Sequence, residues 1–207
     1  GINEYDKVAI IGTNCPQWCV SDFAIAHIRA VSVPVYPTLI PDQAQYVVKH
    51  SESKIAIVQD EMQLAKILPL LNDHECDLNK IIIMDDSYSG SDAITYSSVT
   101  ALNDVTHDIK ALSQTVQSSD LLTLIYTSGT TGVPKGVMLT HDNVCRNLLS
   151  IGELIELIES KYNMEEKVFL SFLPVAHSFE RVGGHYGCFN AGMQIYYAQS
   201  METVIPN

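Results

Sequence analysis

Basic residues are scarce in this sequence: 12 Lys and Arg stand against 24 Asp and Glu, a net charge of −12. A nucleic-acid binder carries a basic footprint, so that class of partner is excluded. The acidity does not exclude a polyanionic small molecule, because charges more than about 8 Å away are largely screened at physiological salt. Long apolar runs are also lacking, and none approaches the ~18 residues of a spanning helix. Without a polybasic cluster, any peripheral membrane contact would have to be apolar or lie in parts outside the chain. There is no Met at the start and no basic region followed by an apolar core, so no secretory signal is visible. Gly1-Ile2 runs almost at once into Val8-Ala9-Ile10-Ile11, which reads as a chain beginning inside a domain, with a targeting segment left open. Cysteines number five, and Cys15, Cys19, Cys76, Cys145 and Cys188 show no metal-site spacing. Reduced, structural thiols in a cytoplasmic protein are the expectation.

What is present is a globular composition: 207 residues, 46% apolar and 17% charged. A chain of this length buries about 70% of its unfolded surface, enough for a sizeable core. Strands are expected at Lys7–Ile11, Val31–Val35, Ile55–Gln59 and Ile81–Met84. Pro34 marks the second of these as an edge or a strand end. Helices are expected between them: one capped by Asn14 and opened by Pro16, one from Pro41 to about Lys49, and one over Glu61–Leu71 with Met62, Ala65 and Leu68 inward. The alternation predicts an α/β fold with largely parallel sheets covered by helices. Residues 87–120 are polar and weakly periodic and read as a surface connection with one short helix near Thr100. Residues 1–115 are expected as a first lobe and 116–207 as the start of a second. In the latter, a helix capped by Thr140 or Asp142 runs to about Ser160, and a strand follows at Val168–Phe172.

One segment stands out. The apolar strand Leu121–Ile125 breaks into Tyr126-Thr127-Ser128-Gly129-Thr130-Thr131-Gly132-Val133-Pro134-Lys135-Gly136, with four Ser/Thr hydroxyls, three glycines, one lysine and no carboxylate. Glycines allow close approach of a ligand to the main chain. N–H groups, hydroxyls and the Lys135 ammonium are donors suited to phosphate oxygens. The spacing is not Walker A, which requires Gly-Lys-Ser/Thr opening a helix. Here Lys135-Gly136 leads into Val137-Met138-Leu139-Thr140, a second strand.

This eleven-residue motif resembles the phosphate loop of the acyl-adenylate-forming enzymes, a superfamily that includes acyl-CoA synthetases, luciferases and peptide-synthetase adenylation domains. Asp6-Lys7-Val8-Ala9-Ile10, Asn14-Cys15-Pro16-Gln17-Trp18 and the stretch Ala30 to Pro37 follow that family's opening pattern, where no catalytic role is carried over. A later segment, Leu173-Pro174-Val175-Ala176-His177-Ser178-Phe179-Glu180-Arg181, resembles the family's second core motif in its long-chain fatty acyl-CoA synthetase form. Helical spacing would place His177, Arg181, Gly184 and Cys188 on one stripe. Glycine costs about 1 kcal/mol against alanine inside a helix, so Gly183, Gly184 and Gly187 call for close packing or for room beside His177. Glu180 and Arg181 could instead form only local ion pairs. His141 reads as a helix-start residue, and His27, His50, His74, His107 and His185 form no metal constellation.

The resemblance implies part of the large N-terminal domain of an acyl-CoA synthetase-like fold and a two-step reaction: ATP-dependent formation of an acyl-adenylate, then transfer to CoA. Mg²⁺ is the metal the family uses. Residues Tyr126 to Gly132, with Pro134, Lys135 and Gly136, would hold the nucleotide's phosphates. His177 would lie by the carboxylate, with Arg181, Gly184 and Cys188 lining the acyl pocket. In the family pattern the adenine and ribose motifs and the C-terminal domain with its adenylation lysine come after Asn207. The small-molecule partners are then fatty acid, ATP and CoA, while oligomeric state is not legible. Two alternatives stand beside this reading: an adenylating enzyme for another acid, such as a peptide-synthetase domain, and a non-catalytic nucleotide-binding module.

Overall fold

Strand and helix alternate as the patterning predicts. The computed structural model describes residues 1–102, 108–127, 133–162, 167–198 and 204. In chain order these form β1 (Lys7–Ile11), α1 (Pro16–His27), β2 (Val31–Val35), α2 (Pro41–His50), β3 (Ser53–Val58), α3 (Glu61–Ile67) with a 3-10 turn at Leu68–Asn72, and β4 (Lys80–Ile83). There follow β5 (Ile94–Thr95), α4 (Tyr96–Thr100), α5 (Ile109–Gln114), β6 (Leu121–Thr127), β7 (Lys135–Thr140), α6 (His141–Tyr162) and β8 (Val168–Ser171). A π-helical turn (Phe179–Tyr186), α7 (Gly187–Asn190) and β9 (Gln194–Tyr197) complete the order. Seven strands form one sheet in the order β5-β4-β3-β1-β2-β6-β7, and β8 pairs with β9 separately. Every pairing is parallel except that of β6 with β7.

The period-2 alternation of the central strands decides which helix covers which face. Ala9, Ile11, Val33, Val35, Val58 and Ile83 pack with Ala44, Val47 and Val48 of α2 and Leu64 and Ile67 of α3. The intervening residues Val8, Ile10 and Ile57 pack with Trp18 and Ile25 of α1 on the other side. With both faces covered, the strands read as near-continuous apolar runs, and each fully buried Val or Ile contributes about 1.5–3 kcal/mol. Among the described residues no helix is long and apolar enough to cross a membrane.

Four expectations change. β2 is an interior strand, flanked by β1 and β6, despite Pro34. Val31 N–H donates to Asp6 on the β1 side, so alternation turns the missing N–H of Pro34 toward β6, where the ladder registers only Ser32 with Thr123. Asn14 does not cap α1: Cys15 holds the cap position without a side-chain bond, while Pro16 does open the helix. The inward face of α3 is Gln63, Leu64 and Ile67, and Met62 is 69% exposed. The polar connection contains β5 and α5 in addition to the expected short helix. β6 and β7, which follow the boundary expected at 115/116, extend the sheet begun by β1. The entry to β6 is fixed by Asp120, which accepts from Arg29 Nε at 2.8 Å and from Arg29 Nη2 at 3.2 Å.

Candidate active site

β6 runs parallel to β2, so Thr127 ends it at the same carboxyl edge of the sheet as Ile11 and Val35. β7 returns antiparallel from that edge, with Tyr126 opposite Gly136 and Thr127 opposite Lys135. The glycine- and hydroxyl-rich segment thus springs from the edge of an α/β sheet where ligands bind as a rule. Of the residues expected to contact phosphate, Tyr126, Thr127, Pro134, Lys135 and Gly136 are described, and Ser128, Gly129, Thr130, Thr131 and Gly132 lie outside the described residues. Burial pushes the Tyr126 hydroxyl up to about 12, with Tyr46 and Glu52 adding to the effect, so it remains a protonated phenol.

The second segment reaches the same edge. Asn14, just beyond β1, donates through Nδ2 to Ser171 Oγ at 2.8 Å and to the Leu173 carbonyl at 2.6 Å. Its Oδ1 accepts from Val175 N at 2.9 Å. Both amide donors and one acceptor bond thus go to strapping the Ser171–Val175 stretch against the sheet, and the side chain makes no cap bond to α1. Ser171 Oγ in turn donates to Glu180 Oε1 at 2.5 Å. Burial raises the Glu180 carboxyl above its ordinary range, the Ser171 bond opposing. His177 is exposed, and its Nδ1 accepts from Phe179 N at 3.2 Å. A neutral ring so engaged carries its proton on Nε2 and presents an N–H donor.

A cavity of about 1000 Å³ opens between α6 and the π-helical turn. Its α6 wall includes Asn143, Asn147, Ile151, Ile155 and Ile158, near-helical repeats of one face. The opposing wall includes His177, Glu180, Gly183, Gly184 and Cys188. Among the described residues His177 and Glu180 are its ionisable lining groups, with Cys188, whose thiol burial pushes up to about 11. The glycines differ in what surrounds them. A Cβ on Gly187 would lie 3.0 Å from Ile151, so that residue allows α6 to approach, whereas a Cβ on Gly183 would meet nothing within 4 Å. At Gly184 a Cβ would lie 3.0 Å from the Glu180 carboxyl carbon.

Arg181 is not in that wall. Of the stripe drawn on α spacing, His177, Gly184 and Cys188 line the cavity, while Arg181 leaves it although its N–H donates to the His177 carbonyl at 3.0 Å as in an α-helical turn. The side chain points instead into the protein, 1% exposed. Its Nε and Nη2 grip Asp22 at 2.8 and 2.6 Å, Nη1 donates to Thr123 Oγ1 at 2.6 Å, and Nη2 also donates to Tyr186 at 3.0 Å. Burial works against the guanidinium charge, but Asp22 outweighs it and the net shift is upward. Arg181 is the anchor that holds the turn on α1 and β6, and the local pairing with Glu180 is replaced by a partner 159 residues away. Asn14, Asp22 and Glu180 carry site-building roles that sequence reasoning missed. Glu180 and Asn14 each had a signal in lying inside a recognised segment, and Asp22 had none.

Three comparisons bear on this arrangement. The family model described as AMP-binding enzyme matches residues 1–206. The chain is 31% identical over 205 residues to fatty acyl-CoA synthetase A of Dictyostelium discoideum, covering 92% of this chain and 29% of that protein. It is 32% identical over 216 residues to long chain acyl-CoA synthetase 1 of Arabidopsis thaliana, covering 99% and 32%. The chain thus spans about a third of the length of these relatives. Among solved structures, the luciferase-like enzyme of the mealworm Zophobas morio superposes with a TM-score of 0.74 at 23% identity, over 97% of this chain and 44% of that one.

Proposed function

Because this chain belongs to the AMP-binding enzyme family, we propose that the full-length protein activates a long-chain fatty acid. The fatty carboxylate attacks the α-phosphorus of ATP, giving acyl-adenylate and pyrophosphate, and the CoA thiol then displaces AMP. The observation that carries this reading is geometric: both recognised segments reach one carboxyl edge of the sheet, and an apolar cavity of about 1000 Å³ opens beside the second. The relatives' names, a fatty acyl-CoA and a long chain acyl-CoA synthetase, support the acyl substrate and the CoA acceptor.

A carboxylate is a weak nucleophile that must approach a polyanion, so the chemistry rests on positioning and charge neutralisation. In this reading Tyr126 to Gly136 offers main-chain and hydroxyl donors to the β- and γ-phosphates, and Lys135 adds a charge-assisted bond. His177 offers Nε2–H to the substrate carboxylate, and the cavity takes the acyl chain. Arg181 has no part in substrate contact. For Mg²⁺, the loop motif contains no carboxylate, and among the described residues no three His, Cys, Asp or Glu side chains come together as ligands. These residues do not fit a protein-held metal, and no step is assigned to one.

The test is ATP–pyrophosphate exchange by the full-length protein with palmitate, acetate and an amino-acid mixture offered separately. Exchange with palmitate alone is the expected result. Exchange only with an amino acid would keep the chemistry and overturn the substrate, and no exchange with any acid would overturn the adenylation.

A further inference from the structure

We infer that Tyr46 and His50, both on α2, are positioning residues that clamp the two arms of the phosphate-binding hairpin; the inference rests on the adenylation reading for what the hairpin holds. Residues four apart on a helix share a face, and the two rings stack at 5.2 Å with 27° between planes. Tyr46 donates its hydroxyl to the Pro134 carbonyl at 3.1 Å, a contact across 88 residues. His50 Nδ1 lies 2.8 Å from the Tyr126 hydroxyl, across 76 residues, with the rings edge-on at 5.7 Å. One short helix thereby grips both arms: Tyr126 is the penultimate residue of β6, and Pro134 immediately precedes β7.

The position of these contacts gives them their meaning. Among the described residues the last ladder pair of the hairpin is Thr127 with Lys135. The Tyr46 bond falls on Pro134, the residue next to that pair. Proline offers no N–H there, so its carbonyl is the group through which the arm can be held. The Tyr126 ring also lies over Gly136, where a Cβ would meet it at 3.2 Å. Meanwhile Ala44, Val47 and Val48 seat α2 in the main core, so the clamp is referenced to the rigid sheet. Misplacing reacting groups by about 1 Å can cost a hundredfold in rate. A helix that sets where Thr127 and Lys135 project therefore tunes nucleotide affinity without touching the nucleotide.

The test compares Tyr46→Phe and His50→Phe with the parent, all as full-length protein. Each replacement keeps a ring in place and removes one polar contact. Pyrophosphate binding is measured by titration calorimetry, and ATP–pyrophosphate exchange gives separate KM values for ATP and for palmitate. Loss of one such hydrogen bond predicts a pyrophosphate Kd and an ATP KM raised about three- to tenfold. The palmitate KM is expected within twofold of the parent, and the melting midpoint no more than about 4 °C lower. Unchanged nucleotide constants, or a palmitate KM rising in step with that for ATP, would overturn the inference. If the parent exchanges with no acid, the adenylation reading fails and the clamp is judged from pyrophosphate titration alone: weaker binding in the variants upholds it, and equal binding overturns it. A parent that binds no pyrophosphate overturns both.

Discussion

Replacing Asp22 by Asn tests whether Arg181 is an anchor or a substrate contact. Both side chains are almost fully buried, at 2% and 1% exposure. Asp22 Oδ1 accepts from Arg181 Nη2 at 2.6 Å, while Oδ2 accepts from Arg181 Nε at 2.8 Å and from the Tyr186 hydroxyl at 2.6 Å. Asparagine preserves the shape but must turn an NH₂ toward one of these donors, so at least one charged hydrogen bond becomes a donor–donor contact. The guanidinium meanwhile loses its one carboxylate partner among the described residues. Breaking a buried pair from one side costs about 3–5 kcal/mol. With a urea dependence of about 3 kcal/mol per M, the unfolding midpoint should fall by roughly 1 to 2 M. Circular dichroism and tyrosine absorbance should report the same transition.

The control removes the whole network: Asp22→Leu with Arg181→Met and Tyr186→Phe, the last because the tyrosine hydroxyl would otherwise be orphaned. Apolar replacement of a buried ion pair is often neutral or stabilising. The triple variant should therefore recover most of the loss, with coupling far from additive. A cost below about 1 kcal/mol for Asp22→Asn, or a triple variant no better than the single one, would refute the anchor. So would a stable triple variant that cannot use palmitate, because Arg181 would then be touching substrate.

Lys135→Ala should raise the ATP KM about tenfold or more through loss of a charge-assisted bond, read by ATP–pyrophosphate exchange, with the palmitate KM unchanged. Gly184→Ala would place a Cβ 3.0 Å from the Glu180 carboxyl carbon and push that group toward the cavity. Its palmitate KM should rise several-fold, while stability moves by less than about 1 kcal/mol because the gain in helix propensity offsets crowding. Glu180 has a folded-state pKa raised by burial, so the folded protein binds more protons than the unfolded chain. Its contribution is fully present below the ordinary glutamate value and is lost as pH rises through the raised one. Denaturation at several pH values should show Glu180→Gln lacking this loss on the alkaline side.

The sheet was legible because its causes are local: apolar strands separated by helices leave a period-2 and a near-3.6 pattern in the same short windows. The phosphate segment was legible for a similar reason, being a continuous string of residue types. Arg181 was not, because its partners Asp22 and Thr123 stand 159 and 58 residues away and leave no local pattern around it. Pro34 misled because the rule about edges concerns a missing donor, and this strand has one side where the ladder is nearly empty. Asn14 misled because its capping chemistry is general, and Ser171, Leu173 and Val175 claimed it first. On α3, Met62 and Leu64 are both apolar, and the local pattern does not reveal that Leu64 is buried while Met62 is exposed.

β7 stands last in the order of its sheet, and that place has a consequence for handling the protein. Among the described residues no strand pairs with its outer side, and Val137 and Met138 on it are 44% and 67% exposed. Natural sheets blunt such borders with charge, proline or a bulge. Here the Lys135–Thr140 strand has its single charge at its first residue, and at its far end the Thr140 N–H is already held by Asn143 Oδ1 at 3.0 Å. Another chain can extend the sheet there, and at high concentration the readiest one is a second copy. Samples of the 207-residue chain on its own should therefore self-associate through β7 as concentration rises, and Met138→Lys should keep them apart.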